Sequence, residues 1–133
     1  MELNEKKLKE ITTSIKNIIK IDDPVDNTLA NWSVKSGLKI KRVTVPIGVI
    51  GVIYESRPNV TSDVSCLCFK SGNSVILKGG SEAFYSNLII SNLFRKALIK
   101  NKINKNFVQF IKQKDRKVVK FILSKMKNYI DVI

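Results

Sequence analysis

Residues 45–54, VPIGVIGVIY, form the longest apolar run of the chain, broken only by Pro46, Gly48 and Gly51. Crossing a bilayer takes ~20 apolar residues, so this run is too short to be a membrane helix. Most of its apolar side chains are β-branched, which suits a strand buried on both faces over residues 47–54. Strands of that kind belong to parallel sheets, and parallel sheets need crossover helices. The rest of the chain is therefore expected to alternate strand and helix.

The pattern on either side agrees. Asn4 can cap a first helix whose Leu8, Ile11, Ile15 and Ile18 make one apolar stripe. That helix stops at Asp22-Asp23-Pro24, because proline lacks an amide donor and restricts its predecessor. A connection with a short turn, holding Trp32 and Gly37, leads to a half-exposed strand over residues 39–45. After the ESRPN turn a helix is expected from about Thr61, carrying Val60, Val64, Leu67 and Cys68 and ending at Gly72-Asn73. Residues 74–77 read as a second buried strand. Ser81 reads as the N-cap of a long helix bearing Ile90, Leu93, Phe94, Ala97 and Leu98. Residues 107–111 read as a third strand, Asp115 as the cap of a helix, and residues 129–133 as the start of a fourth strand.

The expected fold class is α/β, a partial Rossmann-like parallel sheet with helices on both faces. Residues 1–38 form an N-terminal helix and connection, and residues 39–133 a nucleotide-binding α/β segment. Ending on a nascent apolar strand leaves part of the sheet uncovered, so the sheet reads as incomplete.

Several chemistries are excluded by residue type. The chain has no histidine, so neither a Ser-His-Asp triad nor a Cys-His pair can form within it. A zinc site usually needs about four His, Cys or carboxylate ligands, and no metal is expected. Cys66 and Cys68 are two apart on a helix and point to different faces, as small packed residues do. Residues 1–10, MELNEKKLKE, lack the apolar stretch of a signal peptide, so a cytoplasmic location without a membrane partner is expected.

A formal charge of +13 raises the question of a polyanion partner. The composition answers it differently. Lys, Ile and Asn number 20, 18 and 12, and all three use A/T-rich codons. Only four basic residues are Arg, the preferred reader of phosphates and bases. Nucleic acid is not the expected partner.

In sheets of this kind ligands bind beyond the carboxyl ends of the strands. Two turns lie there, residues 55–59 and residues 78–82. The second combines the Lys78 charge, the flexible Gly79-Gly80 pair and a helix N-terminus opening at Ser81, a set that suits a phosphate. Glu82 can accept hydrogen bonds from ribose hydroxyls. Lys-Gly-Gly-Ser is equally a good strand-to-helix turn on structural grounds, and it is neither the G-x-G-x-x-G fingerprint nor a P-loop.

The segment VPIGVIGVIYESRPNVTSDVSCLCFKSGNSVILKGGSEAFYSN resembles the signature region of gamma-glutamyl phosphate reductase (glutamate-5-semialdehyde dehydrogenase), of the aldehyde dehydrogenase superfamily. The flanks DDPVDNTLANW and DRKVVKFIL…NYIDVI are similar to the family's neighbouring segments. The resemblance implies NADPH-dependent reduction of gamma-glutamyl phosphate to glutamate-5-semialdehyde in proline biosynthesis, through a cysteine thioester. It implies that Lys78 meets the adenine ribose and the NADP 2′-phosphate, with Gly79, Gly80, Ser81 and Glu82 around it. It places Asn59 near the reacting carbonyl and Arg57 on a substrate carboxylate or phosphate. Loop-stabilising hydrogen bonds are the competing reading of Arg57 and Asn59.

The chain also departs from that family. The nucleophilic cysteine lies in a catalytic domain after the region matched here, and Cys66 is not its counterpart. The expectation is a piece of the cofactor domain, inactive alone, with a companion chain carrying the catalytic domain. The alternative is a non-catalytic remnant retaining nucleotide or polyanion affinity.

Overall fold

The computed structural model describes residues 3–133, so Met1 and Glu2 of the expected N-terminal unit lie outside it. Helix α1 (Glu5–Lys20) starts as predicted: the Asn4 side-chain oxygen accepts from the Lys7 amide at 3.0 Å. Its stripe is narrower than expected, with Ile11 and Ile18 buried and Leu8 exposed. The helix lies against α2 (Pro58–Lys70), where Lys70 Nζ donates to the Ile19 carbonyl at 3.3 Å.

A hairpin follows where a connection was expected. Strand β1 (Thr28–Ser33) pairs antiparallel with β2 (Lys39–Val43), with Trp32 opposite Ile40. TLANWS shows no strand alternation, so β1 owes its form to its partner rather than to its own pattern. Gly37, at φ 84°, allows the turn. Thr44 ties the base, its hydroxyl donating to the Pro24 carbonyl at 2.6 Å and accepting from the Asn27 amide at 2.9 Å. Only Ile40 of β2 is shielded, so this strand is more exposed than its alternation predicts.

The main sheet is parallel, in the order β3 (Val49–Ile53), β4 (Ser74–Lys78), β5 (Val108–Phe110). The expected fourth strand is reduced to one parallel bridge, Val132 to Ile50, on the edge of β3 away from β4. The Asp131 carboxylate accepts from the Val49 amide there at 2.8 Å. In space the order is therefore residues 130–133, β3, β4, β5, and the chain reverses across the sheet after β5.

Helices cover both faces, as an α/β fold with a Rossmann-like parallel sheet requires. Val75, Leu77 and Val108 pack with Cys68 of α2 and Leu98 of α3 (Phe84–Lys100) to form the core. Ile76, pointing the other way, shares a hollow with Ile122 of α4 (Lys117–Lys125). Helix α2 starts three residues before the predicted Thr61, because Pro58 suits the first helical position. Its buried side is Thr61, Ser65 and Cys68, and Leu67 is exposed. The hydroxyls tolerate burial by bonding backward: Ser65 donates to the Thr61 carbonyl at 2.6 Å. Asp115 does bond the start of α4, accepting from the Lys117 amide at 2.8 Å. Among the described residues no helix is long and apolar enough to cross a membrane.

Candidate functional site

The carboxyl ends of β3, β4 and β5 open on one cleft of about 580 Å³. Its walls are residues 53–57 after β3, residues 78–82 from the end of β4, and Lys114, Arg116 and Val119 around the start of α4.

Lys78 is the last residue of β4, in register with Ile53, and lies on the face that carries α4. Only 6% of it is exposed. Its ammonium donates to the Gly79 carbonyl at 3.0 Å, its one hydrogen-bond partner among the described residues. An ammonium has three donors, and a buried one with a single neutral acceptor is short of partners. Such a group is primed for an anion entering the cleft.

The glycines after Lys78 serve space rather than flexibility, since neither adopts a positive φ. A Cβ on Gly80 would stand 2.6 Å from Ser56 Oγ. One on Gly79 would stand 2.5 Å from Asn87 Nδ2 and 3.0 Å from the Tyr54 ring. The two turns and α3 are thus packed against each other too tightly for any larger residue.

Behind Gly79 runs a buried polar chain. The Tyr54 hydroxyl bonds Thr61 Oγ1 at 2.6 Å, and Thr61 donates to Asn87 Oδ1 at 3.0 Å. Thr61 has one proton and spends it on Asn87, so Tyr54 is the donor in the first bond. Burial pushes the Tyr54 phenol up, and the Thr61 bond partly offsets that. Asn87 and Thr61 are fully buried, and the Asn87 amide nitrogen has no partner.

Ser81 is not the cap of α3. The helix begins at Phe84 after a turn in which the Phe84 amide donates to the Ser81 carbonyl at 3.3 Å. Ser81 and Glu82 are exposed on the cleft wall, ahead of the helix rather than in it. Arg57 also lines the cleft. Asn59 does not. It sits in the first turn of α2 and lines a separate hollow facing Lys7 and Glu10 of α1. Neither Arg57 nor Asn59 makes a side-chain hydrogen bond among the described residues.

Two cleft residues escaped the sequence reading, Lys114 and Arg116. Lys114 Nζ stands over the rings of Phe84 and Tyr85, 4.8 Å and 4.6 Å from their centres. Both residues lie in a stretch, residues 95–127, with 12 basic residues and one acid, where no single charge stands out. The available signal was positional: the connection after β5 leaves from the same end of the sheet as the other two turns.

The cysteines lie outside the cleft, on α2. Burial, then the neighbouring Asp63 charge, pushes the Cys66 thiol up to about 11, and burial raises that of Cys68. Both are held protonated, the opposite of what an attacking thiolate needs.

No protein-family model matches the chain. Over 133 residues it is 44% identical to gamma-glutamyl phosphate reductase 2 of Bacillus licheniformis, all of this chain and 31% of that protein. The crystal structure of gamma-glutamyl phosphate reductase from Thermotoga maritima superposes on 98% of this chain and 31% of its own, with a TM-score of 0.93 at 41% identity. The enzyme of the same name from Saccharomyces cerevisiae covers 99% of this chain and 36% of its own, with a TM-score of 0.77 at 28% identity. The chain thus spans about a third of the length of the relatives it matches.

Proposed function

We propose that this chain, matched from end to end by gamma-glutamyl phosphate reductases of the aldehyde dehydrogenase superfamily, carries the nucleotide-binding part of such a reductase. The reaction is the NADPH-dependent reduction of gamma-glutamyl phosphate to glutamate-5-semialdehyde. The catalytic cysteine is supplied by a companion chain or domain, since Cys66, half-buried, and Cys68, buried, are protonated and outside the cleft.

One observation carries this reading: the buried Lys78 ammonium, with a lone carbonyl partner, at the carboxyl end of a parallel strand. The cleft fits a dinucleotide in chemistry as well. Lys78 supplies a charge for phosphate, Ser81 a hydroxyl, and Glu82 a carboxylate at the position where such folds bond a ribose. The packed glycines hold the 55–57 and 78–82 turns together as walls of the cleft. When bound, NADPH supplies the hydride. The residues present here bind and orient it. Arg57, on the β3 side, is the candidate for a substrate carboxylate or phosphate. Asn59 reaches the reacting carbonyl only if the first turn of α2 re-orients, because its present surroundings are α1 and Pro58.

Titration of the full chain with NADPH, followed by nicotinamide fluorescence, tests the reading. Saturable binding is expected, with Lys78→Gln weakening it by about tenfold or more, the loss of one charge-assisted bond. Absence of saturable binding by the unsubstituted chain rejects the proposal.

A further inference from the structure

The cleft has a third wall that the reading above leaves unused. Lys114 and Arg116, in the connection between β5 and α4, face the same opening as Lys78. We infer that these two residues select a nicotinamide dinucleotide bearing an extra phosphate on its adenosine ribose over one bearing a hydroxyl there. This inference rests on the nucleotide reading of the cleft.

Arg57, Lys78, Lys114 and Arg116 line the cleft together with two carboxylates, Glu55 and Glu82. With Lys78 alone on the β4–β5 side, Glu82 would cancel its charge. A ribose 2′-hydroxyl needs only a carboxylate acceptor, whereas a 2′-phosphate carries about −1.5 to −2 and needs cations to outweigh that carboxylate. Lys114 and Arg116 provide the excess.

In a doubly wound sheet the diphosphate lies at the turn after the first strand, and the adenosine ribose lies beyond the second. Here those strands are β3 and β4, and the reversal of the chain falls between β3 and residues 130–133. Lys114 and Arg116 sit on the other side of Lys78, toward β5. Their connection leaves β5, the strand on the far side of β4 from β3, and so belongs with the ribose end.

A surface lysine loses side-chain entropy on being fixed. Lys114, although exposed, is held in part by contact with the faces of Phe84 and Tyr85. Phe84 is in turn buried and packed on Phe110 of β5, its ring centre 5.7 Å away. Part of the cost of ordering the ammonium is therefore met before a ligand arrives.

The test is a set of parallel titrations of the full chain with NADPH and NADH, read by nicotinamide fluorescence, at fixed salt. Lys114→Gln and Arg116→Gln are each expected to weaken NADPH about tenfold and NADH less than twofold. Tyr85→Ala, at a side chain 69% exposed, should weaken NADPH by a smaller factor by releasing Lys114. The preference for NADPH should also shrink below about pH 6, where the phosphate takes up its second proton. Equal losses for both nucleotides, or no loss for either, overturn the selective role and leave the nucleotide reading standing. Failure of the unsubstituted chain to bind either nucleotide overturns both.

Discussion

The side-chain amide of Asn87 is packed directly behind Gly79, so that a methyl group on the glycine would stand 2.5 Å from the amide nitrogen. Asn87 is fully buried and its side chain is short, so it has nowhere to withdraw. Gly79→Ala should therefore push the 78–82 turn outward and cost about 1–3 kcal/mol, the usual range for overpacking. The expected outcome is a melting midpoint several degrees lower, with NADPH affinity falling more than the stability loss explains. An unchanged midpoint shows that the turn and α3 are not in contact.

Thr61 stands between two partners, accepting from Tyr54 and donating to Asn87. Thr61→Val keeps the shape and removes both bonds, leaving the half-buried Tyr54 hydroxyl and the buried Asn87 Oδ1 without these partners. A loss of about 1–3 kcal/mol is expected in urea unfolding. In the double variant Thr61→Val with Tyr54→Phe the stranded hydroxyl is gone, and part of that loss should return. Strictly additive effects would falsify the coupling.

Cys66 gives an alkaline signature. Its thiol is raised from about 9 to about 11 in the folded chain, so the protonated form is what the fold favours. Stability from this group is complete below about pH 9 and is lost as pH rises toward 11, because the unfolded chain ionises first. Urea melts at pH 8 and pH 10.5 should diverge less for Cys66→Ala than for the unsubstituted chain. At pH 8 alkylation of Cys66 should be about tenfold slower folded than unfolded, since the fall in thiolate fraction is partly offset by higher intrinsic nucleophilicity. Equal rates overturn the assignment.

Asp131 holds residues 130–133 against β3 by accepting from the Val49 amide at 2.8 Å. Asp131→Ala removes that acceptor at an exposed site, at a cost of about 1 kcal/mol. Hydrogen exchange should show faster exchange at the Val49 amide and at Gly51, which donates to the Val132 carbonyl at 2.8 Å. The amides of β4 should not change.

Where local pattern decides structure, the sequence is readable: α1 with its Asn4 cap, β3 and β4 as strands, and the Gly72-Asn73 stop, although β3 is only half-buried, with Ile47 before it and Ile53 exposed, where burial on both faces is expected. Where a distant partner decides, it is not. TLANWS becomes a strand by pairing with residues 39–43, and Thr61 and Ser65 are buried because α2 turns them toward the core. The cleft was legible at Lys78 and its glycines, which punctuate a strand end. Ser81 stands ahead of α3 rather than capping it, although Ser before a helical pattern favours a cap, because a further turn intervenes before Phe84. Lys114 and Arg116 were hidden in a basic run, and only the return of the chain to the same sheet end gives them a role.

The bridge between Ile50 and Val132 also sets a condition on how the molecule comes into being. Val49 and Asp131 are 82 residues apart in sequence. At translation speeds of 5–20 residues per second, that separation is roughly 4–16 s of synthesis. Throughout that interval β3 can pair with β4 on one side, while its other edge offers open amides and carbonyls to any neighbouring nascent chain. The most apolar strand is therefore the one whose second edge closes last. Co-translational yield should depend on how quickly residues 130–133 emerge.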